Sequence, residues 1–175
     1  MTQKTKTLPT NKPVVAVFGA TGHTGRFVIA ESLRREMTPI AIARDAKALS
    51  EANLPENVVR RQATVDNAAL LNQALHGAQA VIDCAGPFID TDAMGRSAQR
   101  FVIEVVVTRG NEKRRAVSRG QDSYAVTAPL ACEAVARLLK GNIPPGAHAP
   151  AEIFDGKEFL EARGRDHLTL EIATH

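Results

Sequence analysis

At 175 residues, with 44% apolar and 23% charged side chains, the chain has the length and composition of one globular domain, or of one domain with an appendage. Its 22 basic and 19 acidic residues leave a net charge of +3, spread over short clusters such as Arg34–Arg35, Arg60–Arg61 and Lys113–Arg115. With 4% aromatics and no Trp, this is not the basic, aromatic-interleaved stripe of a nucleic-acid binder. The polar start MTQKTKTLPTNKP holds no apolar signal core, no apolar run approaches about 18 residues, and Cys84 and Cys132 form no CxxC or metal spacing. A cytoplasmic, reduced protein with no membrane span and no metal site is therefore expected.

Residues 1–12 read as a disordered, Thr- and Lys-rich arm. Pro13 opens VVAVFGA, a β-branched run with the character of a buried strand. TGRFVIAESLRRE follows with helical spacing, its turns marked by Phe27, Ala30, Leu33 and Glu36 with Ile29 at the flank. PIAIAR (39–44) is a second buried strand, and DAKALSEANLPEN a polar connector with a short helix that ends near Pro55. VVRRQATV is a third, partly exposed strand. DNAALLNQALHG (66–77) is an amphipathic helix with Asp66 at the N-cap position and Gly77 at the stop. AQAVIDCAGP (78–87) is a fourth strand that runs into a Gly-Pro turn, with Cys84 as a small buried hydrophobe. Strands alternating with helices imply a parallel sheet.

Beyond residue 90 the pattern changes. AQRFVIEVVVTRG (98–110) and NEKRRAVSRGQ predict an antiparallel hairpin that turns near Gly110–Asn111. SYAVTAPLACEAVARLLKG predicts a helix with Leu130, Ala134, Val135, Leu138 and Leu139 on one face and Gly141 closing it. NIPPGAHAP is a loop, DGKEFLEARG a short helix, and HLTLEI a last strand or extended tail. The fold class expected is thus α/β, a Rossmann-like parallel sheet over 13–93, followed by an α+β hairpin-helix segment over 94–175.

The chemistry sits in FGATGHTGRF. Gly19, Gly22 and Gly25 lie between a buried strand and a helix, the setting that a dinucleotide fingerprint requires. Gly19 allows the tight turn, Gly22 lets a pyrophosphate approach the backbone, and Gly25 lets the helix pack closely. The N–H groups around His23, Thr24 and Gly25 would face the phosphates, with the Thr21 and Thr24 hydroxyls as further donors. The Lys-Ser/Thr signature of a P-loop is absent. At the end of the second strand, Arg44 suits the 2′-phosphate of NADP, with Lys47 nearby, while Asp45 leaves NAD open. Asp66 either contacts the adenine or merely caps its helix. Ala85, Gly86 and Pro87 either line the nicotinamide side of the crevice or form a simple turn.

VFGATGHTGRFV, AIARD and VIDCAGPF together resemble the NADP-binding domain of the saccharopine dehydrogenase-like reductases, a group that includes enoyl-reductase-like bacterial proteins. GRSAQRFVIEVVV, SYAVTAPLACEAVARLL, APAEIFDGKEFL and HLTLEI are similar to the carboxyl-terminal end of the same group. The resemblance implies an NADP-dependent oxidoreductase whose central substrate domain is missing near Met94–Gly95. The Tyr-x-x-x-Lys pair of short-chain dehydrogenases is absent, since Tyr124 is followed by Ala128, and no catalytic residue can be named. Against the oxidoreductase stands a second expectation, a non-catalytic nucleotide-binding module, homodimeric through the hairpin at 98–119, whose edge would otherwise be exposed.

Overall fold

The computed structural model describes residues 11–86, 97–163 and 168–174. Most of the expected amino-terminal arm, Pro87 and the join at Met94–Gly95 lie outside them. Four parallel strands form the first sheet: β1 (Val14–Phe18), β2 (Thr38–Ala43), β3 (Val59–Gln62) and β4 (Ala80–Asp83), in the order β3-β2-β1-β4. Helices α1 (His23–Arg34), α2 (Ala46–Glu51) and α3 (Ala68–Leu75) connect them, so the α/β expectation holds.

The strands alternate between two cores, as the period-2 pleat requires. Val15, Val17, Ala41, Ala43, Ile82 and Cys84 face Val28 and Ile29 of α1 and Leu49 of α2. Val14, Ala16, Ile40 and Ile42 face Leu71, Ala74 and Leu75 of α3 on the other side. A parallel sheet reads as a continuous apolar run because both faces are covered in this way.

Several local expectations are corrected. α1 buries Gly25, Val28, Ile29 and Ser32, whereas Ala30 is exposed and the helix ends before Glu36, which has φ 59. Asn67, not Asp66, caps α3, accepting from the N–H of Leu70 at 3.0 Å. Gly77 does stand at the stop with φ 84.

The second half begins with β5 (Arg100–Arg109) and β6 (Glu112–Gln121), joined through Gly110–Asn111. Gly110 takes φ 60 and Asn111 does not take positive φ, the pattern of a type II′ turn with Gly at its first central position. β7 (Leu168–Thr174) pairs antiparallel with β6, so the tail is a true strand in a sheet of order β5-β6-β7. Phe101 lies opposite Gly120, where a Cβ would strike the Phe101 ring.

α4 (Ser123–Leu138) packs along α1 and places Ala128, Cys132 and Val135 in the first sheet's core. This buried face matches the expected one at Val135, with Leu139 packed against the core, but Leu138 is exposed and Leu130 and Ala134 are half-buried. Cys132 instead fills the seam, with Sγ 3.4 Å from Ser32 Oγ. Arg35 bridges the two helices, reaching Glu31 at 2.7 Å and Glu133 at 2.5 Å. The short helices α5 (Pro150–Ile153) and α6 (Gly156–Arg163) follow. No helix among the described residues is long and apolar enough to cross a membrane.

Candidate functional site: the glycine loop at the carboxyl edge of the parallel sheet

Parallel strands carry their carboxyl ends to one edge, so the loops after Phe18, Ala43, Gln62 and Asp83 gather there. Chain order reverses between β1 and β4, and such a switch point opens the crevice where open α/β sheets bind ligands.

The glycine loop is built at that point. Gly19 turns the chain at φ 75, and a Cβ there would meet Ala85 N and the Cys84 carbonyl carbon at 2.8 Å. Close contact with the end of β4 therefore requires glycine, as does the left-handed backbone. The Gly22 N–H donates to the Gly19 carbonyl at 2.9 Å, and the Ala20 N–H donates to Ile42 at 3.1 Å, tying the loop to β2. Gly22 has φ −78 and ψ 172, which any residue adopts, so no conformational need explains its glycine. Gly25 is required by space: a Cβ would collide with the Gly19 carbonyl oxygen and Ala20 Cα. What packs closely at Gly25 is the loop's own backbone, rather than the strand.

Gly22 is the N-cap of α1, with no side-chain cap and no acidic residue in the first turn. The first N–H groups of a helix, those of His23, Thr24 and Gly25, have no intrahelical acceptor. The positive helix end thus meets no competing carboxylate of its own, which is what an anion site needs. Thr21 is exposed beside it and Thr24 is buried.

The imidazole of His23 is occupied elsewhere. Arg26 Nη2 lies 2.7 Å from Nδ1, and Nε2 lies 3.2 and 3.3 Å from the two oxygens of Asp122. Arginine only donates, so Nδ1 accepts and the proton is on Nε2, pointing at Asp122. The ring also meets Phe27 and Tyr124 edge-on at 5.1 and 5.4 Å. Asp122 precedes α4 in the left-handed region (φ 60, ψ 80) and accepts the N–H groups of Ala125 and Ser97 at 3.2 and 3.0 Å. Burial works to raise its pKa, and the Ser97 and Ala125 N–H bonds together with His23 outweigh this and lower it. Sequence reasoning missed Asp122. Its place before a helix could have marked it as a cap, but nothing in the sequence connects it to His23, 99 residues away.

Arg44 is exposed just past β2, its carbonyl accepting from Gln62 Nε2 at 3.0 Å. Asp45 caps α2, accepting from Lys47 and Ala48 N–H at 2.8 and 3.1 Å. The acidic residue at this position is therefore used locally, while among the described residues the Arg44 guanidinium makes no ion pair. Asp66 is exposed past β3 and accepts from the Thr64 hydroxyl at 3.2 Å. Ala85 and Gly86 are exposed at the end of β4, where the Ala85 N–H donates to Asp83 at 2.9 Å. Gly19, Arg44, Asp66, Ala85 and Gly86 thus share one edge of the sheet, while the His23 side chain turns to the second half of the chain.

A family model described as NAD(P)H-binding matches residues 19–135, more than half of the chain. A stretch of 57 residues is 40% identical to the chloroplastic divinyl chlorophyllide a 8-vinyl-reductase of Zea mays, covering 33% of this chain and 14% of that protein. A solved Burkholderia pseudomallei protein is similar at 31% identity and TM-score 0.35, over 43% of this chain and 32% of its own. A Lactobacillus casei protein is similar at 29% identity and TM-score 0.34, over 42% and 33%. The chain therefore spans 14% of its curated relative's length and about a third of each structure.

Proposed function

The chain belongs to the NAD(P)H-binding family, and from that premise we propose that it binds NADPH in preference to NADH, as an oxidoreductase of the saccharopine dehydrogenase-like type. The observation that carries the cofactor preference is the division of work after β2, where Asp45 is spent on capping α2 and Arg44 stands open. Gly19, Gly22 and Gly25 with the α1 N–H groups hold the pyrophosphate. Arg44 meets the 2′-phosphate, Asp66 lies toward the adenine, and Ala85 and Gly86 lie toward the nicotinamide. The bound cofactor supplies the hydride. The protein's own part is to position it.

The test is titration with NADPH and NADH, followed by cofactor fluorescence and thermal shift. NADPH binds more tightly, and Gly22→Asp abolishes binding of both. Arg44→Ala removes a charge-assisted contact worth about 1.5–3 kcal/mol, or roughly 10- to 100-fold in NADPH affinity, and spares NADH. Unchanged NADPH affinity in both variants would sink the assignment.

The engagement of His23 favours a second reading, binding without turnover. The imidazole beside the loop is already held by Arg26 and Asp122. NADPH consumption across carbonyl, imine and enoyl substrates separates the two: turnover supports the reductase, and tight binding without it supports the module.

A further inference from the structure

The β5-β6-β7 sheet is amphipathic, and among the described residues the outer edge of β5 is unpaired. One face carries Phe101, Ile103, Val105 and Val107 of β5, Ala116 of β6, and Leu168, Leu170 and Ile172 of β7. Arg109 and Arg114 stand at its turn end; the other face carries the ion pairs Arg115–Glu104 at 2.6 Å and Arg119–Glu171 at 2.9 Å beside Val102, Val106 and the buried Val117. β5 is open on both faces, since Val102 and Val106 are exposed as well. Proteins blunt such an edge with Pro, bulges, inward charges or a short strand. β5 has none of these: its ten residues pair with β6 in unbroken register, and its one interior charge, Glu104, is already met by Arg115.

We propose that β5 pairs antiparallel with β5 of a second copy of this chain, about a two-fold axis through Val105, to make one continuous six-stranded sheet. Two-fold antiparallel pairing sets residues of the same face opposite each other, so the two paired positions sum to an even number. Only two such registers keep nearly the whole strand paired. The one centred on residue 104 sets Glu104 against Glu104, and like charges directly opposite are destabilising. The one centred on residue 105 sets Val105 against Val105, Ile103 against Val107, Glu104 against Val106, and Arg109 against the Phe101 ring, a favourable cation–aromatic pair. Arg100 falls at the strand end on the face opposite Arg109. Charge thus selects between two registers that pair the same branched side chains. This inference does not depend on the cofactor.

The test is mass in solution together with site-specific cross-linking. Light scattering is expected to show twice the 18.8 kDa chain mass. Val105→Lys, which sets two ammonium groups on the axis, is expected to halve that mass, with the circular dichroism of the folded chain retained. Ile172→Lys on β7 is expected to leave the dimer intact. On mild oxidation Val105→Cys, which keeps Glu104 in place, cross-links to itself. A wild-type monomer at about 100 μM, well above the micromolar affinities of weak specific interfaces, overturns the proposal. So does a dimer that survives Val105→Lys. Dissociation by Ile172→Lys would show the sheet faces stacked instead, and a Val105→Cys variant that does not link to itself would show another register; either result also overturns it.

Discussion

In the parallel sheet Val15, Ala16, Val17, Ile40, Ala41 and Ile42 are fully buried, while in the antiparallel sheet Val102, Ile103, Val105, Val106, Val107 and Ile172 keep 46–67% of their surface exposed. The residue types are nearly the same, and so is their preference for strands. The difference lies in what covers them. Helices α1, α2 and α4 lie on one face of the first sheet and α3 on the other, whereas the second sheet keeps an apolar face and, among the described residues, an open edge. β-branched runs therefore make strands in both halves, but they make a closed core only where the connections return helices to the sheet.

The comparison can be tested by mutation. Ile40→Ala, in the covered sheet, is expected to destabilise by about 2–5 kcal/mol through lost burial and a cavity, against less than about 0.5 kcal/mol for Ile172→Thr in the open sheet. Urea midpoints measure both, and equal losses would show that the second sheet is covered in solution.

Next in size is Asp122, which joins the two halves. Asp122→Ala leaves the N–H groups of Ser97 and Ala125 and the His23 proton without an acceptor, and should cost about 2–3 kcal/mol. Asp122→Asn tolerates the left-handed backbone and retains an accepting oxygen, so it should cost less, and the gap between the two variants isolates the carboxylate from the cap. A double-mutant cycle with His23→Gln should show coupling with Asp122→Ala and none with Ile40→Ala.

Acid should act through the same seam. Glu31 is raised by burial, but its bonds to Arg34 and Arg35 outweigh this and hold it at about 2. Glu133 is likewise raised by burial and then lowered by Arg35 and Arg137. Depressed carboxylates contribute stability above their unfolded values near 4, and that stability is lost as pH falls through the folded values. Urea stability should therefore fall from about pH 4 toward pH 2, and Glu133→Gln should flatten that decline.

The smallest effect belongs to the exposed Arg115–Glu104 pair. Arg115→Ala should leave the urea midpoint within error, because a solvent-screened pair contributes little. A clear loss would mean that water does not screen the pair.

Much of this was legible in the chain itself. The strand-glycine-helix passage fixed β1, the loop and α1, and the hairpin turn was announced by Gly110–Asn111. Local chemistry suffices for both, because a left-handed turn and a period-2 run act within a few residues. The face of α4 was misread because a row of Leu and Val at helical spacing marks a helix without saying which side meets a neighbour. Cys132 fills the seam since α1 offers the Ser32 hydroxyl and the Val28 carbonyl there, a fact of packing between residues about 100 apart. Asp66 was misplaced as a cap by one residue, since two adjacent Asx side chains compete and only the backbone at Asn67 lets its oxygen reach the N–H of Leu70.

The sequence by itself therefore determined the alternation of strands and helices, the glycine loop between β1 and α1 and the place of Arg44 just past the second strand, because each rests on side chains acting on their own backbone. Only the tertiary structure decided that Asp45 is consumed as a cap, that His23 reaches across the chain to Asp122, and that among the described residues the outer edge of β5 is unpaired. Those outcomes depend on which distant backbone and side chains arrive within hydrogen-bonding distance or fail to arrive, and no local pattern encodes that.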